Sequence, residues 1–472
     1  MNNEETIKIE EAIELLRTKQ FVGLKEKLAS MNPADIALLF EELSVSELIG
    51  VYRLLPKDLA SDTFIEMDSD HQETLIHSFS DSELQEVLSE LYLDDTVDII
   101  EEMPANVVKR ILRSSDSDTR KMINEILKYP EDSAGSIMTI EYVSLKKDMT
   151  VRDALTRIRK VGVDKETIYT CYVTDANNRL IGLVTAKTLL LSDENETIEN
   201  IMEKNVIYVN TLMDKEEVAR YFDKYHFMAI PVTDDEDRLV GIVTFDDAIE
   251  VITDEATEDI EMMAGITPGE KPYLKTGVFE IWKNRIPWLL ILMISSAFTC
   301  SIISSFEHAL SVCVILTAYI PMIMGTGGNS GGQSSVTIIR SLSLNDISIG
   351  DIWKILWKEI RVAFFCGITL AVANFIKMMI FDRADIYESV SANSSLVASM
   401  GMNQAVALVA LVVCVTMVLT VVIAKIVGCS LPIIAKRIGF DPAVMASPFV
   451  TTIVDAISLV VYFKIATMVL GI

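Results

Sequence analysis

A chain of 472 residues exceeds what one hydrophobic core holds, so two or three domains are expected. Its net charge of −27 is unevenly spread: only nine of the 68 Asp and Glu, and twelve of the 41 Lys and Arg, follow Trp282, leaving about −30 on residues 1–282 and about +3 on the rest. An acidic soluble half joined to a near-neutral apolar half excludes nucleic acid as a partner and points to the handling of cations. The opening MNNEETIKIEE is acidic and lacks the apolar core of a signal peptide. Cys171, Cys300, Cys313, Cys366, Cys414 and Cys429 show no paired spacing and read as small hydrophobes in a reducing or membrane setting. Four scattered histidines predict no imidazole metal cluster.

Residues 1–130 are rich in Leu, Glu, Ile and Lys with helical periodicity. Helix starts recur at Asn32-Pro33, Pro56-Lys57, Ser80-Asp81, Asp94-Asp95 and Pro104-Ala105. The spacing predicts a superhelix of short helices, with a plain helical bundle as the alternative. Residues 131–253 hold an internal repeat: Val173-Thr-Asp-Ala-Asn-Asn-Arg-Leu-Ile-Gly182-Leu-Val-Thr185 returns 59 residues later as Val232-Thr-Asp-Asp-Glu-Asp-Arg-Leu-Val-Gly241-Ile-Val-Thr244. Ile137-Met138 and Ile201-Met202 stand ahead of the two copies. Each copy reads as strand, turn, strand and helix, and the pair resembles tandem CBS domains. Residues 254–285 read as a helical connector broken at Pro268-Gly269.

Five apolar segments follow, near 286–306, 310–340, 362–381, 404–431 and 448–470, each long enough to cross a bilayer. Lys283 and Arg285, then Lys354, Lys358 and Arg361, then Lys436 and Arg437 flank alternate connections. The positive-inside rule then puts the N-terminus in the cytoplasm and the C-terminus outside. Lys377 and Lys425 fall within spans and are expected to snorkel to the nearer interface. The second segment carries Gly325-Thr-Gly327-Gly328-Asn329-Ser-Gly331-Gly332-Gln333. This run suits a water-filled path or, for Gly328 and Gly332, close helix packing. The last segment carries Asp455 beyond Pro448, Thr451 and Thr452. An intramembrane carboxylate marks an ion or proton route unless the threonines or another span satisfy it.

This order of parts, with Gly325–Gln333 closed by Arg340 and with Asp441-Pro442-Ala443 leading to Pro448 and Thr451-Thr452-Ile-Val-Asp455, resembles the MgtE family of magnesium channels and transporters. The resemblance implies a multidomain fold: an all-α superhelical N-domain over 1–130, an α/β tandem CBS pair over 131–253, a connecting plug-helix region over 254–285, and an α-helical membrane domain of five transmembrane helices over 286–472. It implies a homodimer in the lipid of the bacterial inner membrane, with its pore on the two-fold axis. Mg2+ would be both substrate and regulator, passing into the cytoplasm and closing the pore from within. Asp455 would hold the ion, with Gly325, Gly328, Asn329, Gln333, Pro448, Thr451 and Thr452 along its path. Asp94, Asp98, Asp214, Glu216, Asp247, Glu250, Glu255, Glu258, Asp259 and Asp441 would bind regulatory magnesium, although Glu250 stands where an Asp can occur. His226, at a further such position, is a poor magnesium ligand.

Without the resemblance, the acidic runs also read as ordinary solvated faces. Thr244 and Asp247 have the Thr-x-x-Asp spacing of a ribose contact, so the CBS pair is also a candidate for ATP; the first copy has Thr188 in place of that Asp. No P-loop, nucleophile elbow or zinc motif is present, so no enzyme is expected. The competing reading is a non-conducting membrane sensor of Mg2+ or nucleotide acting through its CBS pair. A CBS-bearing chloride channel is disfavoured, because the CBS pair precedes the spans and the intramembrane charge is anionic.

Overall fold

The computed structural model describes residues 3–269, 273–274, 276–391, 401–445 and 447–470. It divides into two compact units, Met1–Thr253 and Asp254–Ile472.

The first unit opens with ten short helices, α1 (Asn3–Arg17) to α10 (Ser117–Ile126). Their starts are set by local chemistry. The Asn32 side chain accepts from the Ala34 N–H ahead of α3 (Pro33–Glu41), and Ser80 forms a capping box with Glu83 at α7 (Asp81–Leu88). Odd-numbered helices pack on odd-numbered neighbours, α1 on α3, α3 on α5 (Lys57–Ile65), α5 on α7 and α7 on α9 (Ala105–Ser114). That ladder makes a superhelical stack around a continuous core including Phe40, Leu48, Phe64, Leu75 and Val97.

Two three-stranded sheets follow, β1 (Ser144–Lys146), β2 (Thr170–Thr174) and β3 (Leu180–Thr185), then β4 (Val209–Asn210), β5 (Ala229–Thr233) and β6 (Leu239–Thr244). In each, a parallel pair is extended by an antiparallel hairpin, and Val173 pairs with Gly182 as Val232 pairs with Gly241. The repeated glycines have a tertiary cause. A Cβ on Gly182 would meet Met202 Sδ at 2.8 Å, and one on Gly241 would meet Met138 Sδ at 2.7 Å. The segment leading into each copy thus docks on the other copy's last strand, where Thr139 bridges to Ile242 and Leu183 to Glu203. Helix α14 (Lys215–Tyr225) packs on the second sheet, and α15 (Phe245–Met263) leaves β6 and runs unbroken through the boundary between the units.

The second unit is helical. After α15 the chain turns at Gly265, whose φ of +71° suits a residue without a Cβ. Residues 270–272 and 275 of the expected connector lie outside the described residues. The long helices are α16 (Val278–Ser305), α18 (Ile315–Ser343), α19 (Ile352–Ile380), α21 (Met402–Ile438) and α22 (Ser447–Leu470), with short α17 (Glu307–Val312) and α20 (Arg383–Ser391) between them. The expected second segment is therefore broken, because α17 ends before α18 begins. Among the described residues, four of the long helices, α16, α19, α21 and α22, are both long and apolar enough to cross a membrane. The expected count of five meets this difference: α18 has the length, but its Gly, Ser, Asn and Gln residues lower its hydropathy.

Candidate functional site

In the first unit, carboxylates converge on a cavity of about 380 Å3 lined by Asp62, Glu66, Tyr92, Asp94, Asp95, Glu166, Thr244, Asp246 and Asp247. Asp94 and Asp95 occupy the first turn of α8 (Leu93–Glu102), while Asp246 and Asp247 occupy that of α15. Asp94 is only 7% exposed, and its Oδ1 has no hydrogen-bond partner. Burial, then the carboxylates of Asp247, Asp95 and Glu166, hold Asp94 well above the usual carboxylate range. Burial and Asp247 push Asp95 up to about 7; burial and Asp246 push Glu166 up to about 7. Asp98, one turn on from Asp94, is exposed and does not line the cavity, yet lost hydration, followed by Asp247 and Glu250, pushes it up to about 8. Asp247 is also raised by burial, against the lowering effect of its bond from the Thr244 hydroxyl.

Thus Asp94, Asp98, Asp247 and Glu250 come together, as one set of mutually repelling acids. Among the described residues, no group of three or more His, Cys, Asp or Glu stands in direct metal-ligating geometry. The donors are all oxygen, which suits a hydrated hard cation. Asp95, Glu166, Asp62 and Glu66 complete the cavity. Asp95 had a signal in its adjacency to Asp94, whereas Glu166 lies in a loop with no motif.

Asp214 and Glu216 do not line this cavity. Asp214 caps α14 by accepting from the Glu216 N–H at 2.9 Å, and Glu216 pairs with Arg220 one turn on. His226 ends the same helix in the left-handed conformation. Glu255, Glu258 and Asp259 lie on α15 beyond the unit boundary, and Asp259 accepts from the Ser343 hydroxyl at 3.3 Å. Asp441 accepts from the Ala443 N–H at 2.7 Å, fixing the turn before α22.

In the second unit the glycine-rich run divides into two faces of α18. Gly327, Gly328, Ser330, Gly331, Gly332, Ser334 and Ser335 are buried. Cβ atoms at Gly327, Gly328 and Gly331 would meet Thr420 and Val454, Thr451, and Val450 and the Ala424 carbonyl; one at Gly428 would lie 2.2 Å from the Gly331 carbonyl oxygen. Pro321, Gly325, Asn329 and Gln333, spaced four apart, form an exposed stripe opposite. Close packing and a polar surface are therefore both present, on different sides of one helix.

Asp455 lies on α22 in the turn that packs on Gly327 and Gly328, since Val454, Ser458 and Thr451 touch those glycines. Its Oδ1 is buried without a partner, as are Thr420 Oγ1 and Ser458 Oγ. Thr452 satisfies its hydroxyl on the Pro448 carbonyl at 2.8 Å. Thr420 and Ser458 carried no motif; their placement comes from helix packing alone. Lys377 behaves as expected, half exposed and paired with Asp382 at 2.5 Å near the helix end. Lys425 does not. It is 5% exposed, 3.0 Å from Ser334 Oγ and 3.5 Å from Glu359, because neighbouring helices offer it a hydroxyl and a carboxylate in place of the interface.

An α-superhelix, two repeated three-stranded sheets and a bundle of long apolar helices define a multidomain protein of the membrane class. Family models match in the same order: the MgtE intracellular N domain over residues 31–132, CBS domains over 134–194 and 198–254, and MgtE, a divalent cation transporter, over 320–465. The magnesium transporter MgtE of Thermus thermophilus is 34% identical over 474 residues, covering 100% of this chain and 99% of that protein. That of Bacillus subtilis is 31% identical, covering 96% and 95%. A crystal structure of the soluble part of a magnesium transporter, 30% identical, aligns with 53% of this chain and 99% of its own at a TM-score of 0.50. The chain belongs to the MgtE family of divalent cation transporters.

Proposed function

We propose that the protein is a homodimeric, magnesium-selective channel/transporter of the bacterial inner membrane that admits Mg2+ to the cytoplasm and closes when Mg2+ occupies its acidic cytoplasmic sites. The observation that carries this reading is the exposed stripe Gly325–Asn329–Gln333 on a helix whose opposite face is packed against α21 and α22. Amide side chains facing lipid at membrane depth are costly, whereas a water-filled seam between two copies accommodates them. On this reading α18 is the fifth span, its low hydropathy being the cost of lining a wet path.

A hydrated divalent ion needs few direct ligands, and Asp455 supplies one carboxylate per copy. Two such carboxylates facing each other repel unless a cation lies between them. Gly328, Pro448, Thr451 and Thr452 set the packing and backbone around that carboxylate.

In the regulatory part, Asp94, Asp98, Asp247 and Glu250 would share magnesium; the ion would offset the mutual repulsion of these carboxylates. Because Mg2+ keeps several waters, the carboxylates need not converge to direct ligand distance. Each occupied site adds RT ln(1 + [Mg2+]/K) to the compact state, so several together close the pore. Glu255, Glu258, Asp259, Asp214, Glu216 and Asp441 would add sites of the same kind. Asp247, bonded to the Thr244 hydroxyl, would be contested between metal and a ribose, and ATP at the CBS pair is a further candidate regulator.

The test is Mg2+ influx into proteoliposomes holding an entrapped indicator, comparing wild type with Asp455→Asn. Flux that collapses in the variant supports a conducting path through Asp455. Equal flux moves the ion site elsewhere. Folded protein with no flux in either returns the sensor reading.

A further inference from the structure

Three helices meet at one buried polar point. The Ser334 hydroxyl on α18 donates to Glu359 Oε2 on α19 at 2.6 Å and accepts from Lys425 Nζ on α21 at 3.0 Å. Lys425 and Glu359 are 3.5 Å apart, with side chains 6% and 15% exposed. Neither charge snorkels, and each has the other as its compensation. Removing one member of such a pair leaves an uncompensated charge in a low-dielectric site, which costs more than the pair itself contributes.

Its place in the bundle gives the pair a functional consequence. Helices α18 and α21 run in parallel register: Gly327 beside Thr420, Gly331 beside Ala424 and Gly428, Ser334 beside Lys425, and the Leu342 carbonyl beside Lys436 Nζ. Ser334 follows Gln333 of the exposed stripe directly. It lies two turns, about 10 Å of helical rise, from Gly327, which packs on the residues flanking Asp455. A bare ammonium buried beside α18, shielded by protein rather than water, would oppose the passage of a divalent cation along it.

We infer that Glu359 is a positioning residue for conduction: bonded to Ser334 and 3.5 Å from Lys425, it cancels the charge of that buried lysine beside the ion path. This inference rests on the transport reading above. Helix pinning alone predicts that every substitution in the triad harms function in proportion to the bonds lost. Charge cancellation predicts a different order, in which deleting both charges is better than deleting the glutamate alone.

The experiment is Mg2+ influx with the full chain in proteoliposomes, after thermal melting and size exclusion establish a folded preparation. Wild type and Asp455→Asn serve as controls, so failure of the transport reading shows in the wild type and is not confused with failure here. E359Q is expected to lower maximal flux by about tenfold. The double variant E359Q/K425M should return within about threefold of wild type, a non-additivity that marks direct coupling. K425R, which keeps the charge, should stay near wild type. Wild-type flux in E359Q, or a double variant no better than E359Q, overturns the inference. Should E359Q fail to fold, K425M decides: flux at or above wild type supports charge cancellation, and flux well below it overturns the inference.

Discussion

Among the described residues, two carboxylates have a buried oxygen without a hydrogen-bond partner, Asp94 in the first unit and Asp455 in the second. A buried acceptor left unsatisfied is expensive, and a cation is the species that would satisfy it. Asp94 also lies among Asp247, Asp95 and Glu166, so Asp94→Asn should raise stability in divalent-free buffer by relieving their repulsion while weakening stabilisation by Mg2+, as thermal melting with and without the ion will show. The surrounding acids set the pH dependence. Burial and the neighbouring carboxylates push Asp95 and Glu166 up to about 7 and Asp98 up to about 8, all above the ordinary carboxylate range, so the folded state binds more protons than the unfolded state between about pH 4 and pH 8. Ion-free protein should lose stability as pH rises through that window. Magnesium competes with those protons, so the stabilisation it confers should grow over the same window. Melting curves that do not move with pH in the absence of divalent cations would remove this cluster from the regulatory account.

At the scale of the element, α18 does two jobs because residues four apart share a face. Its buried glycines allow backbone contact that no side chain permits. Gly428→Ala would drive a methyl to 2.2 Å from the Gly331 carbonyl oxygen, a backbone atom that cannot swing aside. A destabilisation of about 1–3 kcal/mol and a loss of folded protein on size exclusion are expected. Gly325→Ala is the contrasting case: nothing lies within 4 Å of its Cβ, and alanine favours a helix by about 0.5–1 kcal/mol. That variant should fold at least as well as wild type yet alter Mg2+ flux, because Gly325 lies on the polar stripe. Unchanged flux in a stable Gly325→Ala would take the stripe out of the ion path. The CBS sheets obey the same logic, since Gly182 and Gly241 each make room for a methionine from the other copy.

For the whole molecule, charge is segregated by unit, with acids in the first and apolar helices in the second. On the proposed function, regulation would follow from mass action on the acidic unit, and conduction from the stripe that this chain leaves exposed. A cysteine at Asn329 should react with a water-soluble thiol reagent in membranes and form a disulfide between copies when oxidised; a position facing lipid would do neither. Cys300 and Cys366, the native cysteines not buried in the fold, would first be changed to serine so that the readout belongs to residue 329.

The order of parts was legible in the chain because each follows from local pattern. Caps at Asn32 and Ser80 start helices, the 59-residue repeat carries strand–turn–strand chemistry, and long apolar runs become long helices. Asp455 stood out because a carboxylate in an apolar run has no local explanation. Other features depended on which helices become neighbours. Glu166 joins the acidic cavity from a loop, Thr420 and Ser458 lie against Gly327, and Lys425 stays buried instead of snorkelling. Periodicity along one helix can say that a face is small or polar. Which partner meets that face, and whether a charge there finds its opposite within a few ångströms, depends on residues far apart in the chain, and tertiary packing alone brings them together.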